Sequence, residues 1–121
     1  MNSTLINAFI ATDYVVRGGG FSVTIRVGHR SLAVDRLLAR LRAPSCAFIT
    51  ACSPFSTVTS PGENRLRDRT LRRELQCAGI DFIEGTGRGL GWPAEPSVLA
   101  FDLSRVQAAA IGRRYRQDAI V

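Results

Sequence analysis

Residues 60–79, SPGENRLRDRTLRRELQCAG, carry helix signals at both ends. Ser60 stands where an N-cap is needed. Pro61 takes the first helical position, where its missing N–H is no loss, Glu63 falls at N3 to form a capping box, and Gly79 closes the run. At about 100° per residue Leu71, Leu75 and Ala78 share a face. Followed towards the N-terminus, that face reaches Asp68, Arg67 and Asn64, so the stripe expected to meet the core turns polar in its first turns. Arg65, Arg69, Arg72 and Arg73 fall to the side or opposite, where a solvated surface is the plain reading. A helix N-terminus carries unpaired N–H groups and partial positive charge, so an inward Asn64 and Arg67 beside it make a corner suited to an anion.

The second wall of that corner comes from residues 46–56, CAFITACSPFS, where an apolar run becomes a cluster of small polar side chains. Read as a central strand over 46–51, it delivers Thr50, Ser53 and Ser56 to its C-terminal end, a short loop from the helix start. Crevices outside strand C-termini are where α/β sheets bind ligands. Ser, Thr and Asn also commonly satisfy loop backbone, and that reading stays open. Cys52 lies near a helix N-terminus, where a thiol pKa can fall. The only histidine, His29, is far away in sequence, so a Cys–His pair is poorly supported.

On the N-terminal side, AFIATDYVVRGGGFSVTIRVG reads as two β-branched runs joined by a glycine turn at 17–20. Phe21, Val23, Ile25 and Val27 alternate with Ser22, Thr24, Arg26 and Gly28, giving the second run one buried face. SLAVDRLLARLRAP follows as an amphipathic helix capped by Ser31, with Val34, Leu37, Leu38 and Leu41 on one stripe before Pro44. Beyond Gly79 a short strand runs into GTGRGLG, four glycines in seven residues, which reads as a mobile loop leading into a stiffened one. This is no dinucleotide fingerprint, because Trp92-Pro93 and Glu95-Pro96 forbid a helix there. Those prolines hold Ala94 and Glu95 extended, so the Glu95 carboxylate is presented from a stiff support for acid–base work or for pairing with Arg67. Trp92 suits either the core or stacking on a ligand. A helix capped by Ser104 is expected to bury Val106, Ala109, Ala110 and Tyr115, and DAIV at the C-terminus reads as a short edge strand.

These elements predict an α+β (or α/β) fold, a single mixed β-sheet with about three helices packed on it. At 121 residues and 45% apolar, 1–121 is expected to be a single compact domain. Three cysteines without C-x-x-C spacing and one histidine offer no zinc set, so neither metal nor cofactor is expected, and the thiols read as reduced. No apolar run is long enough to span a membrane and the N-terminus lacks a signal-peptide pattern, so the expected location is cytoplasmic. All sixteen basic residues are arginine and the net charge is +6, which favours polyanions through long-range attraction.

The runs FITACSPFS, ENRLRDRTLRREL, WPAEPSVLAF and YRQDAIV, in this order and spacing, resemble the bacterial family catalogued as domain of unknown function 3293. Ile49, Thr50, Ala51 and Pro54 match its first motif, whereas Cys52 and Ser53 stand where that family usually has an aromatic and Asn. The resemblance adds Ser97 and Gln117 to the polar set of Ser56, Asn64, Arg67 and Glu95, and it implies no particular activity. If the family's amide at 53 touches a ligand, the shorter Ser53 leaves a gap and implies a different ligand or lost activity. Cys52 in the aromatic position argues against a family-wide cysteine nucleophile.

Two functions follow as expectations. The first is a ligand-binding or enzymatic domain for a small anionic molecule, with Thr50, Ser53, Ser56, Asn64, Arg67, Ser97 and Gln117 binding and Glu95 moving a proton. The second is a basic module whose arginine surface meets nucleic acid or an acidic protein, the polar cluster being structural.

Overall fold

The computed structural model describes residues 3–18, 21–52, 60–89 and 94–117. The elements run α1 (Ser3–Ala11), β1 (Asp13–Gly18), β2 (Phe21–Ile25), α2 (Leu32–Leu41), β3 (Cys46–Ile49), α3 (Pro61–Cys77), β4 (Phe82–Arg88), β5 (Glu95–Phe101) and α4 (Arg105–Arg114). The strands form one sheet in the order β2-β1-β4-β5-β3. The class is α+β, and among the described residues every pairing is antiparallel rather than mixed and there are four helices rather than three. The added helix is α1: the apolar run at 5–10 has no period-two alternation, and short runs of this kind suit helix as well as strand. Thr12 Oγ1 donates to the Ala8 carbonyl at 2.7 Å, and β1 starts one residue later.

Alternation along β5 sorts the core into two faces. Val98 and Ala100 join Ala47 and Ile49 beneath α3 and α4, meeting Leu71, Leu75, Ala108 and Ile111. Leu99 and Phe101 join Tyr14, Val16 and Phe48 on the other side, where Leu37 and Leu38 of α2 pack against them. Phe48 reaches across β5 to lie over Gly85 of β4; a Cβ there would stand 2.6 Å from the ring. The glycines of GTGR are therefore strand residues and not a loop, Gly85 makes room for an aromatic ring, and Tyr14 meets the Phe48 ring edge-on at a centroid distance of 5.0 Å.

The helix caps are where the sequence places them. Ser31, Ser60 and Ser104 each accept from the N–H three residues on, and Gly79 follows α3 with φ +71°. The stripe of α3 is as read for Leu71 and Leu75, fully buried, Asp68, buried, and Asn64 and Arg67, half-buried, but Ala78, at the C-cap, is exposed and not on the core face. Two further expectations change. The α4 stripe is Ala108, Ile111 and Tyr115, while Val106 is 76% exposed; a run of three alanines leaves the phase of that helix open until tertiary packing sets it. Among the described residues β3 is an edge strand ending at Ile49, not a central strand to 51, so the crevice rule for parallel sheets does not apply at its end. Ser53, Ser56, Trp92 and the expected strand at DAIV lie outside the described residues.

Candidate functional site

Beyond Ile49 the chain leaves β3, and its backbone must find partners outside the ladder. Thr50 supplies the first: its hydroxyl donates to the Pro96 carbonyl at 3.0 Å and accepts from the Cys52 N–H at 3.1 Å. Arg67, two turns into α3, supplies the second, with Nε donating to the Ala51 carbonyl at 2.6 Å and Nη2 to the Tyr115 carbonyl at 3.0 Å. Gln117 supplies the third through Nε2, to the carbonyls of Cys52 at 3.0 Å and Tyr115 at 3.1 Å. The end of β3, the start of β5, the first turns of α3 and the C-terminal end of α4 are thus held at one junction.

Cys52 sits inside it, 1% exposed, its sulfur 3.7 Å from the Asn64 carbonyl and 3.6 Å from the Pro96 carbonyl, either of which can accept the thiol proton. Burial, and then the negative charges of Glu95 and Asp68, push that thiol up to about 11, against the lowering effects of the Thr50 hydrogen bond and Arg67. A thiol so placed stays protonated at neutral pH and is a poor nucleophile.

Glu95 is the first residue of β5, paired with Gly87. By strand alternation it belongs with Leu99 and Phe101 on the Tyr14 face, away from α3. Its charge acts on both sides, since it raises the Tyr14 phenol as well as the Cys52 thiol; burial is the larger cause for each. Ser97, on the same face and 1% exposed, donates from Oγ to the Glu95 carbonyl at 3.0 Å. The structure therefore brings Thr50, Arg67 and Gln117 together around Cys52 and sets Asn64 beside it, while Glu95 and Ser97 approach from the other face of the sheet.

One buried group on the inward stripe is not among the predicted site residues. Asp68 is 8% exposed; Oδ2 accepts from Arg72 Nε at 2.9 Å, while Oδ1 has no hydrogen-bond partner. Burial raises its pKa more than Arg72 lowers it. Arg72 also donates to Glu84 at 3.2 Å and to the Ser97 carbonyl at 3.4 Å, bridging α3 to β4 and β5. Helical phase puts Asp68 on the Leu71–Leu75 stripe, as found, whereas Arg72, expected at a solvated surface, turns inward to meet it.

Among the described residues no three His, Cys, Asp or Glu side chains stand together to hold a metal, and no helix is long and apolar enough to cross a membrane. A groove of about 490 Å³ lies at the far end of the sheet, between Leu41–Ala43, Gly79–Ile83 and Phe101–Asp102, and none of the predicted site residues lines it. No curated protein and no solved structure matches the chain. The family model described as protein of unknown function (DUF3293) matches residues 49–120, more than half of the 121 residues and including the whole junction, and the chain belongs to that family.

Proposed function

We propose that this protein binds a small anionic molecule, a phosphate or carboxylate compound, where the end of β3 meets the first turns of α3. One observation carries the reading. Arg67 is half-buried, yet both of its described hydrogen bonds go to backbone carbonyls, and the ion pairs among the described residues use Arg26, Arg30, Arg72 and Arg114 instead. A guanidinium withdrawn from water gains most from a negative partner, and a planar fork suits phosphate or carboxylate. Ser53 and Ser56 lie in sequence between Cys52 and the N-cap of α3, outside the described residues, and would add hydroxyl donors. Where the ligand is turned over, Glu95, electrostatically coupled to the junction, is the group to move a proton.

Thermal shift against inorganic phosphate, nucleotides, phosphorylated metabolites and carboxylates tests this. A ligand at a hundred times its Kd adds about 2.7 kcal/mol, roughly 10 °C for a chain of this length. The reading requires a hit that is abolished in Arg67→Gln, with each variant compared to its own unliganded melt. A hit of equal size in that variant refutes the site. Glu95→Gln is expected to leave binding in place and to abolish any turnover; unchanged turnover removes Glu95 from the mechanism.

A further inference from the structure

We propose a second, separate binding surface: the outward face of α3, where Arg65, Arg69 and Arg73 form a ladder that takes the phosphate backbone of a nucleic acid. The three residues are spaced i, i+4, i+8, which confines them to one stripe of the helix. All three are exposed, Arg69 and Arg73 opposite the buried Leu71 and Leu75 and Arg65 to the side of them. None takes part in the ion pairs among the described residues. Their neighbour Arg72 behaves differently, drawn inward onto Asp68, Glu84 and the Ser97 carbonyl. Arg65 also folds back over Gly62, with Nη2 3.8 Å from the position a Cβ would take there, and so adds its charge to the positive N-terminal turn.

Like charges at i, i+4 repel and weaken a helix, so Arg65–Arg69 and Arg69–Arg73 oppose the folded chain unless an anion lies along them. Helical rise sets about 6 Å between successive members and about 12 Å end to end. Phosphates on one strand of a duplex advance about 3.4 Å per nucleotide, so each guanidinium meets about every second phosphate. An anionic membrane is the poorer fit. Leu66, 60% exposed, is the large exposed apolar side chain that α3 offers among the described residues, too little to enter a bilayer. Arginine on phosphate without an aromatic or Asn/Gln contact to bases predicts binding indifferent to sequence.

The test is fluorescence anisotropy of the full chain with a labelled 20-base-pair duplex of arbitrary sequence, from 50 to 200 mM salt. Three phosphate contacts predict a logarithmic slope of about −2.7, which is about a 40-fold loss of affinity over that range. Each of Arg65→Ala, Arg69→Ala and Arg73→Ala is expected to flatten the slope by about 0.9, and the triple variant to bring it near zero. Arg36→Ala/Arg40→Ala, on the exposed side of α2, is the control for net charge and should keep the wild-type slope. Melting of the triple variant at or above the wild-type temperature shows that the fold is intact, because the substitutions remove repulsion and place alanine in a helix. The proposal is overturned if the wild type does not bind at 50 mM salt, if the triple variant keeps its slope, or if the α2 control loses as much. Binding to phosphatidylserine vesicles without binding to the duplex overturns it as well.

Discussion

Arg67 does at the residue scale what a surface arginine cannot: it closes two carbonyls belonging to segments 64 residues apart, Ala51 and Tyr115. Removing the side chain leaves the Ala51 carbonyl without its described donor, and the Tyr115 carbonyl with Gln117 alone, in a part-buried place. Arg67→Ala is therefore expected to lower unfolding stability by about 2–4 kcal/mol, with Arg67→Lys recovering at most part because an ammonium lacks the fork. Urea denaturation reads this directly. Cys52 gives a chemical prediction: with its thiol raised from 9.0 to about 11, it should resist alkylation by iodoacetamide at pH 8, while the exposed Cys77 reacts. A folded-state pKa above the unfolded one means that the native state holds the proton more tightly. The stability from this group is thus complete below pH 9 and is lost as pH rises towards 11. Mass spectrometry of the alkylated cysteines, with and without denaturant, checks the first part. Asp68 has the same sign with a different consequence, since its raised pKa makes the ionised form a liability at neutral pH. Asp68→Asn should melt at or above the wild type at pH 7, and its advantage should vanish as the pH falls through the carboxylate range and wild-type Asp68 takes up its proton.

At the scale of the elements, local chemistry was legible and pairing was not. Ser60, Pro61 and Gly79 bound α3 because caps and breakers act within a turn of the residues that carry them, and Ser31 and Ser104 are readable for the same reason. The order β2-β1-β4-β5-β3 has no such local mark, which is why β3 reads as central from its apolar content and lies at the edge of the sheet among the described residues. The junction shows the same division. Asn64 and Arg67 follow from helical phase, whereas the Tyr115 and Pro96 carbonyls that complete it belong to segments that only tertiary packing brings near. Gly85 illustrates how a strand can look like a loop: its missing side chain is the room for Phe48, one strand removed. Gly85→Ala would put a Cβ 2.6 Å from the Phe48 Cε2 and 3.2 Å from the Val15 carbonyl. Overpacking of this kind costs about 1–3 kcal/mol. Phe48→Leu/Gly85→Ala should be less destabilised than the sum of the two single variants, a coupling that a double-mutant cycle measures.

For the whole molecule, the family match and the fold draw different boundaries. The matched residues, 49–120, contain α3, β4, β5 and α4, but not β1, β2, α2 or most of β3. Yet β4 is central: five residues of β1 pair along it, Asp13 to Arg88 through Arg17 to Glu84. The second core cluster takes Tyr14 and Val16 from β1 and Leu37 and Leu38 from α2, and without them Ile83, Leu99 and Phe101 face water. Losing one side of a two-sided sheet exposes apolar surface at about 25 cal/mol per Å² and turns a central strand into an open edge. We therefore expect a fragment of residues 44–121 to show no cooperative thermal melt and to aggregate, although it holds the complete junction of Thr50, Cys52, Arg67 and Gln117. Residues 1–121 should melt in one transition, as a single domain does. Circular dichroism and calorimetry of the two chains decide it, and a cooperative melt of the fragment would show that the matched region folds alone, with β1, β2 and α2 as an addition to it.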